Sequence, residues 1–464
     1  MCRLLPLALA AWLLAGPVTA GEEAVVDLAQ WERLATAGLG QAGQNRYPEA
    51  EHNLRAAYKL ASGLREADPR RATTANNLGF VLHAQGRAAE ALPLYEEALR
   101  LREASLGPAD PLVAQSLNNL AEALRAMGRG AEAEPLHRRA VAIRRESLGP
   151  RHPDAAQSLN NLGVLLAELG RDDEAGAAYQ EALNVRLSTL GPDHPAVAET
   201  RANLAALAYA RGDMAVAELL YHEALAIEEK RLPAGDPGLA LTLANLAETL
   251  SRQGRPGEAV PLLERALAIR AERLGEGRAE TVQTRHELAV ALVAAGGDGE
   301  NLARAQELLQ ESLAARERLS GPESPEAAAT LTDLAEVLRR RGETEAALPH
   351  LARALAIREA GATAGSAGGP ADLAALLNNL ALLHYHRGAY LEAEPLLARA
   401  VRVEVEALGP DHPDLAVTLE NHAAVLLELE RREEAEATLN RAKAVRIANA
   451  PPPASSPPPP ERAD

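Results

Sequence analysis

The sequence predicts an all-α solenoid of about ten consecutive helix pairs. One observation is a fixed period, because leucines that open connecting loops recur every 42 residues, at Leu64, Leu106, Leu148, Leu190, Leu232 and Leu274. Another is an amphipathic pattern in each half period, such as the stripe Leu117, Leu120, Ala121 and Leu124. A sustained period of this length is typical of solenoids, in which each repeat packs only on its neighbours.

Proline, glycine and polar residues predict where these helices begin and end. Proline suits a first helical turn, where its missing N–H would have no partner, and regular pairs begin near Pro69, Pro111, Pro153, Pro195 and Pro237. The preceding residue is expected to cap the helix or to pack in the loop, as for Asp68, Asp110, Asp236, His152, His194 and His412. Leu-Gly-Pro at the other end predicts a left-handed glycine before a residue that cannot continue the helix.

The first and last pairs are less regular than the others. Residues 21–68 predict a degenerate pair, whose second helix runs from Tyr47 to Glu66. Residues 69–449 predict about nine further pairs, the last of which begins at Pro413.

Both ends of the chain differ from the repeats. Residues 1–20 have the features of an export signal, with Arg3 ahead of an apolar run and Val18-Thr19-Ala20 as the cleavage pattern. The apolar run of about a dozen residues is shorter than the roughly 20 that cross a membrane. We therefore expect cleavage after Ala20, the alternatives being an uncleaved anchor or a misread start. Residues 450–464 are proline-rich and are expected to form a disordered tail.

The composition restricts the class of partner. A formal charge of −17 argues against nucleic acid, because Lys and Arg supply most of that affinity, and against anionic surfaces. The single cysteine, Cys2, allows no intramolecular disulfide and no cysteine-rich metal site. We expect a protein or peptide partner, no cofactor, no metal and no membrane span in the mature chain. The signal predicts an exported protein, periplasmic or extracellular in a bacterium.

Recurring sequence motifs identify a family resemblance. The pattern N-N-L-x-x-x-L-x-x-x-G-x-x-x-E-A occurs at residues 118–133 and 160–175, and the linker L-G-P-D-H-P occurs at residues 190–195 and 408–413. In these motifs the chain resembles tetratricopeptide-repeat proteins of the 42-residue kind, similar to the repeat domain of kinesin light chains. The resemblance implies a right-handed superhelix in which the first helix of each pair lines a concave face.

The resemblance also indicates which side chains a ligand would meet. Residues at the positions of Gln115, Asn119, Glu122 and Ala126 share one face of the first helix and form what we call the inner row. Asparagine occupies one of these positions in seven pairs: Asn77, Asn119, Asn161, Asn203, Asn245, Asn379 and Asn421. Family resemblance implies that these amides hydrogen-bond an extended peptide backbone. The alternative is that each asparagine braces the neighbouring helix.

Acidic residues outnumber basic residues along the inner row. The acids that we assign to the predicted groove are Glu122, Glu168, Glu199, Glu248, Glu287, Asp333 and Glu336. An acidic groove would favour basic or neutral segments over acidic ones. The alternative is a solvated acidic face of an acidic chain.

The sequence contains no motif for nucleotide binding, zinc proteolysis or serine hydrolysis. It therefore predicts a non-enzymatic, exported interaction scaffold that binds an extended peptide or protein segment in its concave groove. A second hypothesis is a structural component of an envelope complex that acts through the solenoid ends or self-association, with the terminal helices around Val25 and Leu439 as the contact. A third is an accessory subunit for a separate enzyme.

Overall fold

The computed structural model describes residues 27–296, 299–363 and 369–449. In these three ranges every regular element is an α-helix, which confirms the predicted all-α fold of consecutive helix pairs. The predicted signal at residues 1–20, Val25 and the proline-rich tail at residues 450–464 lie outside the described residues.

The chain divides into two compact units between Thr249 and Leu250. In the N-terminal unit, odd-numbered helices are the first and even-numbered helices the second members of each pair. Its helices are α1 (Leu28–Gly43), α2 (Tyr47–Ala61), α3 (Pro69–Ala84), α4 (Ala88–Leu106), α5 (Pro111–Ala126), α6 (Gly130–Leu148), α7 (Pro153–Glu168), α8 (Asp172–Leu190), α9 (Pro195–Ala210), α10 (Met214–Arg231) and the start of α11 (Pro237–Arg252).

The C-terminal unit continues the same alternation. Its helices after α11 are α12 (Pro256–Leu274), α13 (Ala279–Ala294), α14 (Gly299–Ser320), α15 (Pro325–Arg340), α16 (Thr344–Thr363), α17 (Pro370–His386), α18 (Tyr390–Leu408), α19 (Leu415–Glu428) and α20 (Arg432–Ala448). Within each unit, a helix packs on the one before it and on the one after it.

Small residues allow the two helices of a pair to approach closely. An alanine near the start of each second helix is fully buried, at Ala50, Ala91, Ala133, Ala175, Ala217, Ala259, Ala305, Ala347, Ala393 and Ala435. Tyr95, Tyr179 and Tyr221 share one repeat position and are also buried. Two of these rings pack against glycines of the first helix. Gly79 contacts Tyr95, and Gly163 contacts Tyr179.

The predicted helix caps are present. The carboxylates of Asp68, Asp110 and Asp236 each accept a backbone N–H two residues later, which satisfies a donor that the first turn leaves unpaired. Nδ1 of His152 and of His194 accepts the equivalent N–H at 3.1 Å. The three histidine-containing linkers therefore serve helix initiation, and His412 makes a longer version of the contact, at 3.4 Å.

Buried arginines join consecutive helix pairs. Arg186 of α8 donates from Nη1 to the carbonyl oxygen of Ala196 at 2.7 Å and to Oγ1 of Thr200 at 2.6 Å, both in α9. We call this contact, to a carbonyl ten residues later and a hydroxyl fourteen residues later, the arginine junction. It recurs at Arg102, Arg144, Arg186, Arg270 and Arg316.

The junction arginines lie almost out of contact with water. Arg186 is 1 % exposed, and burial lowers the pKa of Arg102 to about 10, which still leaves it protonated at neutral pH. Because a buried charge is costly unless it is hydrogen-bonded, these contacts hold the second helix of one pair to the first helix of the next. The sequence signal for them is an arginine at the repeat period, followed after fourteen residues by Ser or Thr.

Two helix boundaries differ from the prediction. Helix α2 ends at Ala61 rather than Glu66, because the hydroxyl of Ser62 donates to the carbonyls of Tyr58 and Lys59 and terminates the last turn. Helix α19 begins at Leu415 rather than Pro413.

Candidate functional site

The inner row lies along the first helices of the pairs. Consecutive first helices are in contact from α1 to α9 in the N-terminal unit, and in the C-terminal unit α13 contacts α15 and α17 contacts α19. The N-terminal unit brings together Asn77, Asn119, Asn161, Asn203 and Asn245, and the C-terminal unit contains Asn379 and Asn421. Asn161 is buried and Asn379 is exposed, whereas the other five asparagines are partly buried.

Several inner-row asparagines hydrogen-bond the preceding first helix. Asn119 donates from Nδ2 to Oδ1 of Asn76 at 2.8 Å, and Asn203 donates to Asn160 at 3.1 Å. In the C-terminal unit the equivalent bond measures 2.9 Å, from Asn421 to Asn378. We call these bonds the asparagine ladder.

The ladder gives the asparagines a structural role beside any binding role. A primary amide has two donor hydrogens and an acceptor oxygen, so one bond to a neighbour leaves capacity for a ligand. The acceptor residues Asn76, Asn160 and Asn378 were not singled out from the sequence, although each is the first residue of a repeated Asn-Asn pair, which was a visible signal. Asn161 differs, since its oxygen accepts from Gln157 Nε2 at 2.8 Å.

Glu122 belongs to a buried polar cluster and is not an open groove acid. It is 6 % exposed, and its Oε2 accepts from Arg125 at 2.9 Å, while Oε1 lies 3.4 Å from Nε2 of the fully buried His137. Nδ1 of His137 lies 2.9 Å from Oδ1 of Asn118. The sequence analysis did not identify Arg125 as a partner of Glu122, although their i, i+3 spacing was the available signal.

The remaining predicted groove acids also have polar partners. In the N-terminal unit Glu168 pairs with Arg125, Glu199 with Arg186, and Glu248 accepts from Tyr209. In the C-terminal unit the pairs are Glu287 with Gln283, Asp333 with His286, and Glu336 with Arg339 and Arg340. Because basic side chains balance part of this charge, the inner row is less acidic than its count of carboxylates indicates.

Small and apolar side chains occupy much of the rest of the inner row. Ala126, Ala206 and Ala210 are exposed, and Phe80 and Val164 are partly buried. Short side chains leave room beside the helix backbone for a bound chain, and the neighbouring asparagines supply hydrogen-bonding groups. The arrangement suits recognition of an extended segment by shape and amide hydrogen bonds.

The Glu122 cluster predicts a pH-dependent stability. Burial acts to raise the pKa of Glu122, but the adjoining His137 and Arg125 outweigh it and hold the pKa below its ordinary value. A depressed pKa stabilises the fold above the unfolded-state value and loses that contribution as the pH falls through the folded-state value. Glu122→Gln should therefore lower the free energy of unfolding by about 1–3 kcal/mol at pH 7 and converge with the wild type in acid.

Urea titrations of both proteins from pH 3 to 8 measure this difference. Glu132→Gln is the control, because Glu132 pairs with Arg129 on the surface and its loss should change little at any pH. A Glu122→Gln deficit that is the same at pH 3 and pH 7 would contradict the prediction.

Two other features of the described residues bear on function. No helix in the described ranges has the length and apolar content needed to cross a membrane. Nor do three or more His, Cys, Asp or Glu side chains converge there in an arrangement suited to a metal ion.

Comparison with known proteins finds similarity along most of the chain. The model of the tetratricopeptide repeat family matches residues 34–104, 70–146, 112–187, 164–230, 238–300, 298–360 and 372–448. No curated protein matches the chain.

Solved structures with similar repeats include three from different sources. A Podosopora anserina kinesin light chain with nearly identical TPR-like repeats is 29 % identical, covering 45 % of this chain and 98 % of its own, with a TM-score of 0.39. BtubC (BKLC) from P. vanneervenii is 24 % identical, covering 55 % and 94 %, with a TM-score of 0.39. The apo form of RapI is 17 % identical, covering 63 % and 99 %, with a TM-score of 0.47.

Proposed function

Since the chain belongs to the tetratricopeptide repeat family, we propose that it is a non-enzymatic scaffold that binds an extended peptide or protein segment along its inner row. Repeats of this family indicate a protein-interaction scaffold. The observation that supports this binding mode is the combination of exposed Ala126, Ala206 and Ala210 with the asparagine ladder. The short alanine side chains leave room for the backbone of a bound segment, and the neighbouring amides can donate hydrogen bonds to it and accept them from it.

The charge of the inner row supports a basic or neutral partner. Glu168, Asp333 and Glu336 keep side-chain exposures of 48 %, 40 % and 38 % despite their partners. An acidic segment would meet these carboxylates and the field of a chain whose formal charge is −17. Contacts between like charges are unfavourable, so the charge of the inner row mainly excludes acidic segments from binding.

A blocking substitution tests the inner row without disturbing the ladder. Ala206→Arg places a long side chain on an exposed position of α9, and we expect loss of the captured partner with an unchanged helical circular dichroism spectrum. The matched control is Ala177→Arg. Ala177 is also exposed, but it lies on the second helix α8 and not on the inner row. Partner capture from an envelope fraction is quantified for the wild type and both variants. Equal loss in both variants, or retention in Ala206→Arg, would exclude the inner row as the binding surface.

The N-terminal sequence supports export as a second part of the proposal. We infer that residues 1–20 direct the chain across a membrane and are removed after Ala20, so that it acts in the periplasm or outside the cell. The test fuses residues 1–26 to a reporter that is active only after export, with the Leu4–Ala15 run deleted in the control. Mass analysis of the product gives the cleavage site. Activity that does not depend on the apolar run would contradict export by this segment.

One surface feature argues against stacking through the C-terminal end. The position that is apolar and buried at Val141, Leu183, Leu225 and Val401 becomes Lys443 in α20, which is exposed. A solvated lysine at the place where the next repeat would pack disfavours docking of another solenoid there, while Leu439 is itself partly buried. This supports the inner row over the C-terminal end as the working surface.

A further inference from the structure

The contact between α18 and α19 replaces the arginine junction with a carboxylate. Glu404 lies fourteen residues before Thr418, the same spacing that separates each junction arginine from its hydroxyl partner. Glu404 is 6 % exposed, so the charge difference falls at a buried position. A carboxylate accepts hydrogen bonds, whereas the guanidinium at the five arginine junctions donates them. The buried Glu228 of α10 occupies the same repeat position as Glu404.

Only one of the two carboxylate oxygens of Glu404 has a hydrogen-bond partner. Thr418 donates from Oγ1 to Oε1 at 2.9 Å, whereas Oε2 is buried without a hydrogen-bond partner. The charged groups that act on Glu404 are Asp414 and His412, both in the segment that leads into α19. Burial, reinforced by the negative charge of Asp414, raises the pKa of Glu404, although Thr418 and His412 oppose the shift.

The start of α19 differs from the starts of the helices that follow an arginine junction. At the five arginine junctions the guanidinium holds a carbonyl ten residues later, and the equivalent carbonyl here belongs to Asp414. An ionised Glu404 cannot donate to it. Helix α19 begins at Leu415, two residues after Pro413, whereas α11, which follows the buried carboxylate Glu228 at the same repeat position, begins at Pro237, so the carboxylate alone does not set the late start. The cap is also longer, because the Asp414 N–H lies 3.4 Å from His412 Nδ1.

We propose that Glu404 makes the α18–α19 junction a pH-dependent release point for the C-terminal helix pair α19–α20. When protonated, its carboxyl group donates a hydrogen bond toward the Asp414 carbonyl and replaces the missing guanidinium. When ionised, it leaves a buried negative charge that weakens docking of the pair on α18. The pair is therefore held more firmly in acid and is released more often as the pH rises.

The sign of the effect follows from linkage. A carboxyl group whose pKa is raised in the docked state favours docking below the unfolded-state pKa and loses that contribution as the pH rises through the docked-state pKa. Each unit of difference between the two pKa values lowers amide protection by up to about tenfold.

Hydrogen–deuterium exchange of the full chain tests the proposal. Protection of amides in α19, corrected for intrinsic exchange, should fall between pH 4 and pH 8 in the wild type, while protection in α7 of the N-terminal unit stays constant. Glu404→Gln supplies a neutral group that can donate, and Glu404→Arg rebuilds the arginine junction. In both variants α19 should be as protected at pH 8 as the wild type is at pH 4.

One further variant separates Glu404 from the neighbouring cap. His412→Asn keeps a capping side chain but removes the imidazole beside Glu404, so the wild-type pH dependence should persist in it. The proposal is overturned if Glu404→Gln retains the full pH dependence, if His412→Asn abolishes it, or if α7 loses protection in parallel with α19.

Discussion

Arg186→Met is expected to destabilise the N-terminal unit by about 3–5 kcal/mol, the usual cost of removing one member of a buried charged pair. The guanidinium contacts Ala196 and Thr200 of α9, and its Nη2 donates to Oε1 of Gln157 at 2.6 Å. Methionine fills much of the volume but donates nothing, so a carbonyl, a hydroxyl and an amide oxygen lose their donor together. Urea denaturation gives the loss of stability, and hydrogen exchange should locate it in α8 and α9.

The chain supplies a matched control for this substitution. Arg446 lies at the equivalent position in α20, where it pairs with Glu420 at 2.7 Å, but its side chain is 56 % exposed. Exposed ion pairs contribute about 0–1 kcal/mol, so Arg446→Met should change the free energy of unfolding little. Similar losses in the two variants would show that burial of the junction is not what makes Arg186 important.

Gly163→Ala is expected to destabilise the chain by about 1–3 kcal/mol through overpacking. A Cβ at this position would lie 2.6 Å from Cε1 of Tyr179, far closer than carbon atoms approach one another. The ring is buried and cannot move into solvent, so the helix or the ring must shift. Urea denaturation measures the effect. Gly40→Ala is the control, because nothing lies within 4 Å of its added Cβ, and it should be neutral or slightly stabilising.

A second substitution distinguishes this clash from a general intolerance of alanine in α7. In the C-terminal unit the same pair of positions is occupied by Ala381 and Leu397, which share one buried cluster. Gly163→Ala combined with Tyr179→Leu should therefore be more stable than the sum of the two single changes predicts. Additive losses would mean that the ring and the new methyl group do not compete for the same space.

The sequence predicted the helix pairs well because the same physical constraints recur in each one. An alanine at the helix crossing, as at Ala133, and an aromatic ring beside it, as at Tyr95, repeat with the period and can be recognised from spacing alone. The exceptions lie where one side chain acts on the backbone locally. Ser62 ends α2 early through its hydroxyl, and no period announces such a contact.

The candidate site was less predictable than the fold. Spacing placed Asn119 on the first helix, but its bond to Asn76 depends on how two helices 43 residues apart align. The same limit applies to Glu122, which the four-position pattern assigned to an open groove although Arg125 and His137 enclose it. The spacing of charged residues predicts which of them lie on one face of a helix. It does not predict which side chains of the neighbouring helices pair with them.

The arginine junction bears on how such a chain can gain or lose repeats by recombination. Each junction is shared between an arginine on one pair and a hydroxyl residue on the next, always fourteen residues apart. Deletion of residues 111–152 would bring Arg102 fourteen residues before Ser158, and a new junction would form from side chains that already exist. The number of repeats between Arg102 and Thr200 can therefore change by whole repeats without a compensating mutation. A recombination event that moved the repeat containing Glu404 would instead transfer its weaker contact to the new position.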